Sequence, residues 1–324
     1  MLTAAMLSAC LGVLVIFLAT RAMNPQYGLA LFCATPLLLS VAAPLVHGIG
    51  APRSFLQCLA VSMLCQLTLF FGMLVFGIEG ILCVIMAAPL WLAWATVGAL
   101  VAYPLHRLMW REHRMQPAFP LAALALVTLL PLLSGAERQG GWRPPLIELT
   151  STIEIDAPPE VVWERLVSFP EMPRPQAWPF RYGIAYPVRA DLDGRGVDAT
   201  RYCVFSTGVA AERVTAWDEP RVLAFNVLNT PPPMVEWSPF QGLQPPHLTG
   251  YLQSRAARFE LTALPGNRTR LVGTSWYANR MYPAAYWQLW SDTIIREVHR
   301  AVFAHVKSLA EADARAVRAT AVTP

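Results

Sequence analysis

Charge is what this 324-residue chain has least of: 14% of residues are Asp, Glu, Lys or Arg, where a soluble domain carries about 25%. The shortage is local. Residues 1–136 hold five Arg, no Lys and two acids, Glu79 and Glu112, whereas residues 137–324 hold twenty basic and nineteen acidic residues. A wholly soluble globule is excluded. Lysine is nearly missing: Lys307 is the single Lys among 25 basic residues, which fits a GC-rich genome better than a binding chemistry. The near-cancelling charges of the polar half leave no basic stripe, so the net charge of +4 does not point to nucleic acid. Cysteine is scarce where it could act. Cys10, Cys33, Cys58, Cys65 and Cys83 lie in apolar runs, where a free thiol behaves as a small hydrophobe. Cys203 stands alone in the polar half, which excludes a disulfide within that half and any C-x-x-C zinc set. A nucleophile elbow, a phosphate-binding glycine loop and a triad spacing are also missing. No metal and no cofactor is expected, and whether the chain is an enzyme stays open.

Long hydrophobic runs, in contrast, are abundant. Crossing about 30 Å of hydrocarbon takes about 20 apolar residues, and such runs fall at about 2–20, 27–46, 55–78, 81–103 and 119–134. Gly77-Ile78-Glu79-Gly80 joins the third and fourth as a tight hairpin. Pro36 and Pro44 in the second are tolerated in a bilayer, where neighbouring helices satisfy the freed carbonyls. Arg21 follows the first run instead of preceding it, so that run reads as a retained helix and not a signal peptide. Arg53, Arg107, Arg111 and Arg114 place their loops on the cytoplasmic side. Five crossings then put the polar half in the periplasm of a bacterial inner membrane; if 119–134 lies on the surface, that half is cytoplasmic. No run carries a cluster of ionisable groups that would mark an ion pathway, so an anchor or small bundle is expected.

Residues 137–145 form a Gly/Pro-rich linker. The alternating segment 147–155 reads as a strand, and Asp156-Ala157-Pro158-Pro159-Glu160 starts a helix running to about Val167. Strand-like runs fill about 184–228 between Asp193-Gly194-Arg195-Gly196, Thr207-Gly208 and Asp218-Glu219-Pro220. Two more, about 250–264 and 268–279, flank Leu264-Pro265-Gly266-Asn267. Turns this short make the six-strand meander antiparallel. A helix from about Pro283 to Ala312 places Trp287, Trp290, Ile294, Val298, Ala301, Val302 and Leu309 on one side, and Asp292, Arg296, Arg300 and Lys307 on the other. Residues 313–324 read as a flexible tail.

The segments STIEIDAPPEVVWERLVSFPEMP, ERVTAWDEPRVLAFNV and TRLVGTSWYANRMYPAAYWQLWSDTIIREVHRAVFAHVK, in that order, resemble the START-like (SRPBCC) superfamily of polyketide cyclase/dehydrase and lipid-transport-like proteins. The resemblance covers about 146–312. It implies an α+β helix-grip domain, a curved antiparallel sheet around the long C-terminal helix with a hydrophobic ligand cavity between them. The multi-span half departs from the common soluble members, so their substrates do not carry over.

Several groups of residues could carry function. The segment 229–248 is too long and Pro-rich for a hairpin turn. It holds Glu236, Trp237 and His247, an acid, an aromatic wall and a base, in either a binding lid or a solvated loop. His305 falls on the apolar side of the last helix, as a core histidine or a pocket acid/base; His299 falls on the polar side and is expected to be exposed. Alternation puts Glu212 with Val214, and Arg255 with Phe259 and Leu261. The two charges either pair inside the cavity and orient a ligand or, after a bulge, face solvent. Trp276, Tyr277, Tyr282, Tyr286, Trp287 and Trp290 bunch near the last hairpin, as packing, cavity mouth or membrane-interface residues. The ligand-binding candidates are therefore Glu212, Trp237, Arg255, Phe259, Tyr277, Tyr286, Trp290 and Ile294; His247, Glu236 and His305 are the catalytic ones. Three functions compete: membrane-anchored binding of a hydrophobic small molecule or lipid, a cyclase/dehydratase-type enzyme, and an interaction module with a filled core.

Overall fold

The computed structural model describes residues 27–111, 118–139, 144–240 and 242–322, with isolated positions before residue 11. They divide into two units. One comprises Met1–Arg143, Glu236–Pro245 and Arg280–Trp287; the other comprises Pro144–Val235, Pro246–Asn279 and Gln288–Pro324.

In the first unit a π-helical turn, Ala30–Ala34, leads into α1, Thr35–His47. Helix α2 is Phe55–Val75, α3 is Ile81–Arg111 and α4 is Ala118–Gln139. Among the described residues, Ala30–His47, Phe55–Val75 and Ile81–Arg111 are long and apolar enough to cross a membrane, at 18, 21 and 31 residues. At 1.5 Å per residue they reach about 27, 31 and 46 Å, against about 30 Å of hydrocarbon. They correspond to the expected second, third and fourth runs. The fifth, 119–134, is helical as α4 but is not among the three. The first, 2–20, lies outside the described residues apart from isolated positions.

Proline chemistry explains the polar side chains inside this helical unit. Pro44 has no N–H to offer the carbonyl of Ser40 one turn earlier, and Ser62 Oγ donates to that carbonyl instead, at 2.7 Å. Gln66 Nε2 donates to the Pro36 carbonyl at 2.8 Å and to Ser40 Oγ at 2.7 Å. Gly98 on α3 lets the backbones close: a Cβ there would lie 2.4 Å from Ser40 Cβ. Ser54 and Gln57 form a capping box at the start of α2. At its end Gly77 takes φ +60° while the Ile78 N–H reaches the Met73 carbonyl at 2.9 Å, the hydrogen-bonded reversal that begins the predicted hairpin.

The second unit is a seven-stranded antiparallel sheet in the order β1-β7-β6-β5-β4-β3-β2. The strands are β1 Leu146–Ile155, β2 Pro187–Asp193, β3 Thr200–Phe205, β4 Gly208–Asp218, β5 Val222–Val227, β6 Leu252–Leu264 and β7 Arg268–Asn279. The six-strand meander is as expected, and β1 closes on β7. Pro159 opens α5, Pro159–Val167, where a missing N–H costs nothing; α6 is the short Trp178–Arg181. Gly266 and Asn267, both at positive φ, turn β6 into β7. The last helix, α7, runs Ala284–Val322. The expected tail at 313–324 is thus helical through Val322, and Val306, Ala310 and Ala314 carry its buried stripe onward beside Leu166, Leu223 and Leu271. The curved sheet against one long helix is the helix-grip fold.

Candidate ligand cavity

A cavity of about 160 Å³ lies between the sheet and α7, within the second unit. Strand alternation supplies its wall: Arg201, Cys203 and Phe205 from β3, Ala210 and Glu212 from β4, Phe225 and Val227 from β5. On β6 the inward set is Leu252 and Ser254, then Ala257 and Phe259, a change of parity produced by a bulge between Ser254 and Ala256. Ser275 of β7, the Thr230–Pro233 segment and Ile294, Ile295, Val298, His299, Val302 and Phe303 of α7 also line it, with Phe169, Ala185, Pro187 and Ala256 at its margin. Gly273 admits the helix, since a Cβ there would lie 2.5 Å from Phe303 Cζ.

Two polar groups face this apolar space. Arg201 and Glu212 stand opposite each other on β3 and β4, both buried, with Nη1 donating to Glu212 Oε2 at 2.5 Å. Arg201 Nε donates to the Val167 carbonyl at 3.0 Å, and the guanidinium lies over the rings of Phe225 at 5.4 Å and Phe169 at 5.8 Å. Burial works to lower the Arg201 pKa, but attraction to Glu212 outweighs it and the group is held up, fully protonated. The guanidinium is the counter-charge that offsets burying the carboxylate. Beside them, burial pushes the Cys203 thiol up to about 12, so it is an inert wall residue.

The second polar group is a histidine between two serines. His299 Nδ1 lies 2.9 Å from Ser151 Oγ and Nε2 lies 2.8 Å from Ser275 Oγ. Its ring stacks on Phe303 at 5.6 Å. Burial first, and Arg296 second, lower its pKa to about 4, so the imidazole is neutral at pH 7. Its expected exposure is corrected: only 7% of His299 is exposed. The reason is the grip. A curved sheet covers a wider arc of helix than a flat one, so His299 and Phe303 are buried as well as Ile294, with Ile295, Val298 and Val302 partly buried between them.

Of the residues anticipated for binding, Glu212, Phe259 and Ile294 line the cavity. Arg255 does not: it is the extra residue of the β6 bulge and is exposed, so Glu212 pairs with Arg201 instead. Tyr277 is buried against α7, its hydroxyl donating to Asp292 Oδ1 at 2.5 Å; burial first, and the Asp292 carboxylate second, raise its pKa. Trp290 packs edge-on to Trp178, 6.4 Å away. Tyr286 belongs to the first unit, where its hydroxyl donates to the Met86 carbonyl. Trp237 is also in that unit, half-exposed, its carbonyl accepting from Ile81 N–H at 2.8 Å.

The three catalytic candidates lie outside the cavity wall. Glu236 is buried in the first unit and accepts from the N–H groups of Leu82 at 3.1 Å and Cys83 at 3.2 Å, a carboxylate at the positive end of α3. His247 is buried in a short turn, Pro246–Leu248, of the second unit. His305 is partly buried against Phe169, with Nε2 3.3 Å from the Pro170 carbonyl. None of the three lines the cavity. Sequence reasoning missed Arg201, Ser275 and His299. Arg201 was legible as a charge directly opposite Glu212 across the Thr207-Gly208 turn.

These features define a helix-grip domain. Residues 147–240 match the family of polyketide cyclase / dehydrase and lipid transport proteins. Among solved structures, the chain is similar to the Zhui aromatase/cyclase of Streptomyces sp. R1128, at 15% identity over 52% of this chain and 94% of that one, with a TM-score of 0.35. It is also similar to a Thalictrum norcoclaurine synthase, at 10% identity over 52% and 96% with a TM-score of 0.34. A third is the di-domain ARO/CYC BexL of the BE-7585A biosynthetic pathway, at 14% identity over 64% and 59% with a TM-score of 0.33. No curated protein matches the chain by sequence.

Proposed function

We propose that this protein binds a hydrophobic small molecule in the helix-grip cavity while its apolar helices anchor it to a membrane. The observation that carries the reading is a cavity with aromatic and aliphatic walls whose one buried charge pair is already matched internally. Such a site rewards apolar surface. In this reading residues 1–136 are the anchor, 137–145 the linker and 146–312 the binding domain. The bilayer is the reservoir from which the ligand partitions. The membrane is the inner membrane of a bacterium, with the binding domain on the periplasmic side. A reporter fused to the C-terminus tests that side: periplasmic activity supports it, cytoplasmic activity refutes it. For binding, the full chain purified in mild detergent is analysed by native mass spectrometry. A bound low-mass organic compound is expected, and Ala257→Phe, which fills the cavity, removes it. The same compound on both proteins would refute the reading.

A second reading, a cyclase/dehydratase-type enzyme, is favoured by one observation: a neutral histidine hydrogen-bonded to a serine on the cavity wall, the pairing general acid–base chemistry uses. Turnover of a bound compound by the wild type and not by His299→Gln would favour it. A filled core is what the third reading, an interaction module, requires, and the cavity counts against it.

A further inference from the structure

We infer that the cavity selects a neutral molecule of single-ring size bearing one hydroxyl group, and rejects fatty acids and phospholipids. The inference rests on the binding reading above and narrows it. Size comes first. The cavity measures about 160 Å³, and an apolar cavity of about 150 Å³ accommodates one benzene ring. An acyl chain needs several times that space and would leave most of its length projecting through the open side into water, forfeiting that burial.

Charge is the second constraint. Arg201 is bonded to Glu212 and to the Val167 carbonyl, and His299 is neutral, so the wall offers an anion no unmatched cation. A carboxylate or phosphate placed there would be a desolvated charge without a partner, which costs several kcal/mol. Phe225, Phe259 and Phe303 meet one another at ring separations of 5.9 and 6.2 Å, an arrangement that accepts a further ring by edge or by offset face.

The hydroxyl follows from counting hydrogen bonds. Both ring nitrogens of His299 are engaged by serines. Ser275 is not saturated, because a hydroxyl has one donor and two acceptor sites. If His299 Nε2 accepts from Ser275, the serine oxygen is left to accept. If Nε2–H donates, the serine proton is left to donate. A ligand hydroxyl satisfies either tautomer, whereas a carbonyl satisfies one.

The experiment uses the full chain in phosphatidylcholine nanodiscs and four probes: p-cresol, toluene, benzoate and myristate. Saturable binding is read by ligand-observed NMR, with the Ala257→Phe chain subtracting bilayer partitioning and thermal melts checking that the variant folds. Saturable p-cresol binding at least tenfold tighter than benzoate is expected, with myristate failing to displace it. Ser275→Ala is expected to erase the preference for p-cresol over toluene, a loss of about fivefold. Benzoate or myristate binding as well as p-cresol would overturn this inference and leave the cavity-binding reading standing. Absence of saturable binding by all four probes, with empty wild-type protein by native mass spectrometry, would overturn both.

Discussion

Acidification provides a test of the neutral, buried state assigned to His299. In the unfolded chain the imidazole titrates near 6.5, and in the fold near about 4. Above the unfolded value both states are neutral and the full stability is present. As pH falls below it, the unfolded chain takes up a proton that the folded chain refuses, and stability is lost progressively down to the folded value. At about 1.4 kcal/mol per pH unit the loss reaches about 3 kcal/mol. The residue is 7% exposed, so solvent screening discounts little of this. For a domain of this size the loss lowers the melting temperature by about 6–12 °C. The measurement is tryptophan fluorescence during thermal unfolding from pH 8 to pH 4, on the wild type and on His299→Gln. Other titrating groups are common to both chains, so the difference between their melting temperatures isolates the imidazole. At pH 8 the variant is expected to be the less stable, having exchanged a fitted ring for an amide between Ser151 and Ser275, and the gap is expected to close or reverse by pH 4. Two curves that stay parallel across that range would refute the buried neutral histidine.

Three other perturbations have definite outcomes. Arg201→Met strands Glu212 in an apolar cavity and is expected to cost about 3–5 kcal/mol, most of it recovered in Arg201→Met/Glu212→Leu; a double-mutant cycle by denaturant unfolding checks it, and additive losses would contradict it. Gly98→Leu is expected to separate α1 from α3, because even a Cβ meets Ser40 at 2.4 Å, and to lower the yield of monodisperse protein in detergent size-exclusion chromatography; an unchanged profile and melt would count against that packing. Glu236→Ala removes the carboxylate at the start of α3 and is expected to lower stability by about 1 kcal/mol while leaving p-cresol affinity unchanged, since Glu236 does not line the cavity; altered affinity at unchanged stability would reverse that assignment.

How far the sequence could be read depended on whether its signals were periodic. The β1 alternation, the turn residues at Gly266 and Asn267 and the proline at the start of α5 are local, and local chemistry placed those elements to within a few residues. Alternation leaves Arg255 either paired in the cavity or turned to solvent by a bulge, and one extra residue in β6 selects the second, since it reverses inside and outside. His299 was misassigned because a helical wheel assumes one covered face, while this helix is covered over more than one. For Glu236 the sequence offers a binding lid or a solvated loop, because the Pro-rich segment 229–248 carries no periodic signal that divides it. Its course, bringing Glu236 to the N-terminus of α3, is set by contacts more than 150 positions apart in sequence. The alanine-rich end of α7 is a legible signal for the helix continuing beyond Ala312, since alanine is the strongest helix former.

The energetics of the cavity bear on which function it serves. Protein interiors pack as densely as organic crystals, and an unfilled void costs about 24 cal/mol per Å³. A sealed dry void of about 160 Å³ would cost about 4 kcal/mol; this cavity is partly open to solvent, so its cost is below that, against the roughly 5–15 kcal/mol that a domain has in total. Residues that would relieve it are small: Ala210, Ala256 and Ala257 all border the space, and any of them enlarged would fill part of it. The same wall carries a buried ion pair, which an apolar pair of equal volume would match or exceed in stability. A domain serving only as a docking module gains nothing from either feature, and an empty core would weaken it. Both costs sit on one wall and both are removable by substitution, the void by enlarging an alanine and the pair only by replacing both partners together; in the binding reading the void supplies room, and the pair fixes the polarity of the wall without leaving a charge exposed to the ligand.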